Sequence, residues 1–178
     1  MQFQSQGGKL ILCHKAEGCS YNRTHYLCRV RGHVLRDDLS LEADARGYNG
    51  ILVLQPSNNP QLAKFFSDSV DTLVNVQKTL NIPEGRLINA IHNVDGQQRL
   101  TLIAMSTSDD SPLRVKDTQG DIIAAQKDKL ALKGLDIDVV FTFYHTRILI
   151  KNPGKPEPEL YVLTIARLSE VQILFQCV

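Results

Sequence analysis

The chain has no apolar run near the roughly 20 residues of a membrane-crossing helix, so no membrane partner is expected. It has no excess of either charge. Twenty Lys and Arg stand against 19 Asp and Glu, a formal net charge of +1. No whole-molecule field therefore argues for nucleic acid, a lipid surface or an acidic substrate, and only a local basic patch could do so. The opening Met1-Gln2-Phe3-Gln4-Ser5-Gln6-Gly7-Gly8 has neither a basic segment nor an apolar core. It reads as a flexible tail over 1–8, not as a secretion signal. A cytoplasmic location in the producing cell is expected, unless export uses a route without such a signal. No internal repeat or low-complexity tract is present.

What is present is ordinary for a soluble domain: 178 residues, 43% hydrophobic and 22% charged. One domain over 1–178 is the default, long enough to bury a core without staples.

The most legible unit runs from Gly47 to Thr107. Gly50 to Leu54 is a short branched run that reads as a strand buried on both faces. Asn59 and Pro60 suit a helix cap and first turn. Leu62, Phe65, Phe66, Val70, Leu73, Val74 and Leu80 then form one helical stripe, stopped by Asn81-Ile82-Pro83. Arg86–Asn93 and Gln97–Thr107 read as a hairpin around Asp95-Gly96, pairing Ile91 with Leu100, Asn89 with Leu102 and His92 with Arg99.

Elsewhere, Lys9–His14 and Thr24–Leu35 read as strands, with Gly32 as a bulge. Asp37 or Asp38 can cap a short helix through Ala45, and Ala125–Lys133 is ambiguous. Leu113–Lys116 and Asp121–Ala124 flank a turn. Asp138–Tyr144 and Arg147–Lys151 read as a strand pair around His145-Thr146. Asn152–Glu159 is a proline-rich loop, and Leu160–Ala166 and Val171–Gln176 are late strands. The expected fold is α+β: a single domain with a mostly antiparallel β-sheet, packed by one long helix near residues 60–80 and one or two short ones.

Several sets of residues carry chemistry. Cys13, Cys19, Cys28 and His33 supply zinc-ligand types, but without a C-x2-C knuckle, and Cys13 and Cys28 fall inside strands. Small core residues plus one exposed thiol explain the same letters. Asn22-Arg23-Thr24 fits a glycosylation acceptor without the secretory context. Cys28 with His92 or His33 and Asp95 would be a hydrolase set, but a mid-strand cysteine lacks the helix terminus that often lowers a thiol pKa.

Arg29 or Arg31, then Ser106-Thr107-Ser108, then Glu157-Pro158-Glu159 resemble the arginine, Ser-Thr-Ser and Glu-x-Glu pattern of an ADP-ribosyltransferase class. The resemblance implies NAD as cofactor, with Arg29 or Arg31 on its phosphates, Ser106 at the nicotinamide pocket and Glu159 at the ribose. Asp95-Gly96-Gln97-Gln98-Arg99 is similar to a motif of ParB-like nucleases, and an Asp-Gly turn accounts for the same letters. Tyr26–Met105 resembles the strand, helix and Ala-Ile-His strand of plasmid relaxases, with Tyr21 or Tyr26 as nucleophile. The metal-binding histidine pair would fall at Arg99 and Thr101, neither of which replaces an imidazole. That implies a catalytically dead copy that retains nucleic-acid binding.

Two features favour binding without chemistry. Arg23, Arg29, Arg31 and Arg36 interleave with Tyr21, His25 and Tyr26, a pattern suited to nucleic acid. Val139–Ile150 and Leu160–Phe175 are apolar beyond one core face, suiting a protein partner or self-association through a sheet edge. The reading is a non-enzymatic interaction module that binds a protein partner or nucleic acid through a sheet surface. Arg29, Arg31, His92 and Arg99 are its binding candidates. A small transferase using Arg29, Ser106 and Glu159 is the alternative, so whether the chain is an enzyme stays open.

Overall fold

The computed structural model describes residues 12–14, 25–39, 49–79, 82, 85–105, 113–123 and 131–174. Within them the order is β1 (Leu12–His14), β2 (His25–Asp37), β3 (Asn49–Gln55), α1 (Pro60–Lys78), β4 (Leu87–Ile88), β5 (Ile91–Val94), β6 (Gln97–Met105), β7 (Arg114–Lys116), β8 (Asp136–Ile150) and β9 (Glu159–Ile173).

Five strands close on themselves. β2 pairs antiparallel with β3, and β3 with β6. β6 meets β9 in parallel at Ile103 and Arg167, β9 runs antiparallel to β8, and β8 returns to β2. Closure of this kind removes the free edges of the five strands where they pair. The strand order is that of an OB-like Greek-key barrel.

Alternation fills the interior. Val30, Leu52, Leu54, Leu100, Leu102, Ile137, Val139, Phe141 and Ala166 are fully buried. Helix α1 starts as its sequence dictates: the Asn59 side chain accepts from Gln61 N at 2.9 Å, with Pro60 in the first turn. It sets Phe66, Val70 and Leu73 into the same core. Full burial of each such side chain stabilises by about 1.5–3 kcal/mol. A Cβ on Gly32 would lie 2.9 Å from Phe66 Cδ2 and 3.0 Å from the Gln55 carbonyl oxygen. Glycine stands there so that helix and β2 can approach, and the register shift of β2 falls later, between Val34 and Arg36.

The α+β expectation, a sheet packed by a long helix with further short ones, is overturned. The chain is mostly β, and its one described α-helix packs into a barrel core. The cause lies in the last third of the chain. Four short strands were expected where two 15-residue strands form, β8 and β9. His145-Thr146 continues β8 instead of turning, and a register shift opposite Val140/Phe141 absorbs Ser169. Strands this long let the sheet close and still project past it.

Asp37 ends β2 and accepts from Leu39 N at 3.0 Å, while residues 40–45 of the short helix expected through Ala45 lie outside the described ones. Two local expectations change. The segment read as one strand over Arg86–Asn93 is two: Leu87–Ile88 joins β9, and Ile91–Val94 joins β6. β3 is buried on one face only, with Ile51 37% exposed. The Asp95-Gly96 turn has positive φ at both residues, and the pairs Ile91–Leu100 and His92–Arg99 are present.

Candidate functional site

The outer faces of the barrel differ in character. On β2 and β8, side chains are charged and tied to each other. Asp138, with a side chain 3% exposed, sits opposite Arg31 in the ladder. Arg29 binds it bidentately, Nε to Oδ1 at 2.7 Å and Nη2 to Oδ2 at 2.8 Å. Arg31 Nε adds a third bond to Oδ2 at 2.8 Å and lies 5.0 Å from the Phe65 ring centroid. A buried carboxylate needs this partnering, since desolvation without it is costly. The hydrogen bond to Asp138 holds the Arg29 pKa above its ordinary value, against the opposing pull of burial. Beside this group Lys116 pairs with Glu170 at 2.9 Å.

On β3, β6 and β9 the outer face is apolar with cations. Ile51 pairs with Ile103 and Val53 with Thr101 across β3 and β6. Ile103 adjoins Arg167 on β9. Alternation carries the same face along β9 through Ile165, Leu163 and Tyr161, with Ile88 of β4 next to Leu163. β8 contributes Tyr144 and Ile148, opposite Ile165 and Tyr161. Arg99, on the outer face of β6, has no hydrogen bond or ion pair among the described residues, and its Nε is buried without a partner.

The β8–β9 hairpin forms an arm beyond the barrel, ending in the loop 151–158. Glu159 gathers its base: it accepts from Lys155 Nζ at 2.6 Å, Asn152 Nδ2 at 2.6 Å and Arg86 Nη2 at 2.7 Å. The Lys155 bond, then the Asn152 bond, holds its pKa below the ordinary carboxylate value. The Arg86 guanidinium also lies 5.3 Å from the Tyr161 ring centroid.

The transferase set is not brought together. Arg29 stands opposite Val140, while Glu159 stands opposite Ile150, ten positions further along β8. That is roughly 30 Å of strand. Ser106 lies outside the described residues. Among the zinc candidates, Cys28 is buried in the barrel, whereas His33, of opposite parity on β2, faces outward. Cys13 lies in β1, and Cys19 lies outside the described residues. No group of three or more His, Cys, Asp or Glu among the described residues is placed to hold a metal. Cys28 does not meet His92, which is exposed on β5 opposite Arg99. Ser57, Asp136 and His33 do meet, but in the wrong order for a nucleophile. Ser57 Oγ donates to Asp136 Oδ2 at 2.8 Å, and His33 Nδ1 reaches Oδ1 at 3.1 Å, so the carboxylate separates hydroxyl from imidazole. No described helix is long and apolar enough to cross a membrane.

Two solved structures share this architecture. One is gp2.5, a single-stranded DNA-binding protein encoded by bacteriophage T7. It matches with a TM-score of 0.50 at 12% identity, over 85% of this chain and 93% of that one. The other is the single-stranded DNA-binding protein from bacteriophage Enc34, C-terminally truncated. It matches with a TM-score of 0.51 at 12% identity, over 93% and 95%. The likeness is one of fold. No protein-family model and no curated protein matches the chain.

Arg29, Arg31 and Arg99 sit on outer strand faces, and His92 is exposed on β5. Sequence reasoning missed Asp138 as the anchor of Arg29 and Arg31, and Ile51, Tyr144 and Tyr161 as surface residues. The continuous apolar run of β3 carried no signal for the exposure of Ile51, and nothing local carried one for the tyrosines.

Proposed function

We propose that the chain binds single-stranded DNA along the outer face of β3, β6 and β9, continuing onto the arm. The observation that carries the reading is that strip: exposed Ile51 with half-buried Val53, Thr101 and Ile103, then Ile165, Leu163 and Tyr161, with Arg99, unpartnered among the described residues, beside it. β3 and β6 are the second and third strands of the barrel, the face that OB folds offer to oligonucleotides, and the arm occupies the place of the loop between strands four and five. Bases stack on rings and apolar side chains, each base contributing about 1–3 kcal/mol, while arginines meet phosphates. A net charge of +1 fits binding in which stacking outweighs charge. The fold likeness to two phage single-stranded DNA-binding proteins supports the same choice over a protein partner.

The test is an anisotropy titration with labelled oligothymidylate of about 20 nucleotides, a duplex of equal length and an oligouridylate. Single-stranded DNA is expected to bind at least about tenfold tighter than duplex, and Tyr161→Ala to weaken it by about fivefold or more. Equal affinity for duplex, tighter binding of the RNA, or no binding overturns the reading.

A further inference from the structure

Two arginines on β2 share one carboxylate, and one would suffice. Arg29 meets Asp138 through two parallel bonds, which alone balances its charge. Arg31 is a surplus cation. It is held rigidly, by its Nε bond and by the Phe65 ring, with its side chain 38% exposed. Glu170, the other acid that acts on Arg29, is already paired with Lys116. Arg29 retains Nη1, and Arg31 both Nη groups, outside any hydrogen bond among the described residues. Two half-exposed guanidiniums are thus fixed side by side with donors to spare and a net positive charge. A planar fork immobilised in advance loses little freedom on meeting a phosphate.

The bracket lies on the strand next to the stacking strip. β2 pairs with β3, His33 standing opposite Gln55 and Arg36 opposite Val53. Arg31 is five positions from Arg36, roughly 15 Å along β2. We propose that Arg29 and Arg31, braced on Asp138, form a phosphate-binding bracket that grips the same DNA strand a second time as it leaves the β3–β6 face. The bracket rests on the single-stranded DNA reading and extends it: the site runs round the barrel onto β2, and strand length decides whether the bracket is used.

The test compares Arg31→Gln with the unaltered protein on oligothymidylates of about 6 and about 20 nucleotides, over a series of salt concentrations. Arg31→Gln leaves the bidentate Arg29–Asp138 pair in place, so the fold is expected to persist, as checked by urea midpoint. For the longer strand, affinity is expected to fall about fivefold to tenfold, and the slope of log K against log salt to shrink by about 0.7, one phosphate contact. For the shorter strand neither changes. Lys78→Gln, an equal change of charge at the exposed end of α1, leaves both slopes unchanged. Equal losses on both lengths, an equal effect of Lys78→Gln, or no change on the longer strand overturns the bracket alone. Failure of the unaltered protein to bind either strand overturns the parent reading, and the bracket with it.

Discussion

β8 is one strand in two settings. From Asp136 to Phe143 its inward residues Ile137, Val139, Phe141 and Phe143 are at most 2% exposed. From Tyr144 to Ile150 the ladder with β9 continues without a break, yet on the same alternation His145 is only half-buried and Arg147 and Leu149 are exposed, Leu149 by 68%. The barrel half is bonded on both edges, to β2 and to β9, whereas the arm half is bonded to β9 alone, and only the barrel half has the core beneath it. Backbone pairing can therefore carry a sheet past its own barrel, where both faces become available to something else. β9 shows where the support stops: Val162 and Thr164 are buried beneath β4 and the helix end, while Leu160 is 46% exposed.

The largest effect should come from the barrel half. Phe141→Ala removes a ring from a closed core and is expected to cost about 3–5 kcal/mol in a urea denaturation series. A loss below about 1 kcal/mol would mean that the barrel half is no better packed than the arm. Asp138→Asn, on the outer side of that half, leaves two arginines without their anion. A loss of about 1–3 kcal/mol is expected, discounted because both guanidiniums are well exposed, with a rise in oligonucleotide affinity as their charge is freed. Opposite signs for stability and binding are the signature to look for.

In the arm the effects should be smaller and local. The lowered pKa of Glu159 means that its ionised form is favoured by the fold. Its contribution is complete above the unfolded carboxylate value of about 4.5 and is lost as pH falls through the lower folded value. Amide resonances of Lys155 and Tyr161 should thus hold from pH 7 to about 4.5 and shift only below it, while those of Phe141 stay put. Movement of the arm resonances above pH 5 would separate the loop from Glu159. Leu149→Ala should change stability by no more than about 0.5 kcal/mol. A larger loss would show that the arm tip is packed after all.

The same contrast explains what could be read in advance. Asn59-Pro60, the stripe to Leu73 and the Asp95-Gly96 turn were legible because their causes are local: a cap, a period, a positive φ. Closure was not legible. Closure depends on Ser169 failing to break β9, and the arm on His145-Thr146 failing to break β8; local propensity is overruled at both places by pairing across the ladder. Arg29 and Arg31 were visible as an i, i+2 pair on one strand face, but Asp138, which orients them, was not. Ile51 was read as buried because a short branched run looks alike whether one face or two are covered. Glu159 drew notice for its Glu-x-Glu spacing, whereas its place is fixed by Arg86, Asn152 and Lys155.

The barrel's seam between β2 and β8 joins residues far apart in the chain. Arg29 and Asp138 are separated by 109 positions. During synthesis at about 5–20 residues per second, β2 emerges roughly 5–20 s before its partner. For that interval the edge from Tyr26 to Gly32 has no β8 to bond, although β3, α1 and β6 are already made. β8 and β9 complete the barrel, so closure waits until the strands described before them have been made, and folding in vitro should be slow for a chain of this size. A pulse-labelled nascent chain should gain protease resistance only after β8 and β9 have left the ribosome.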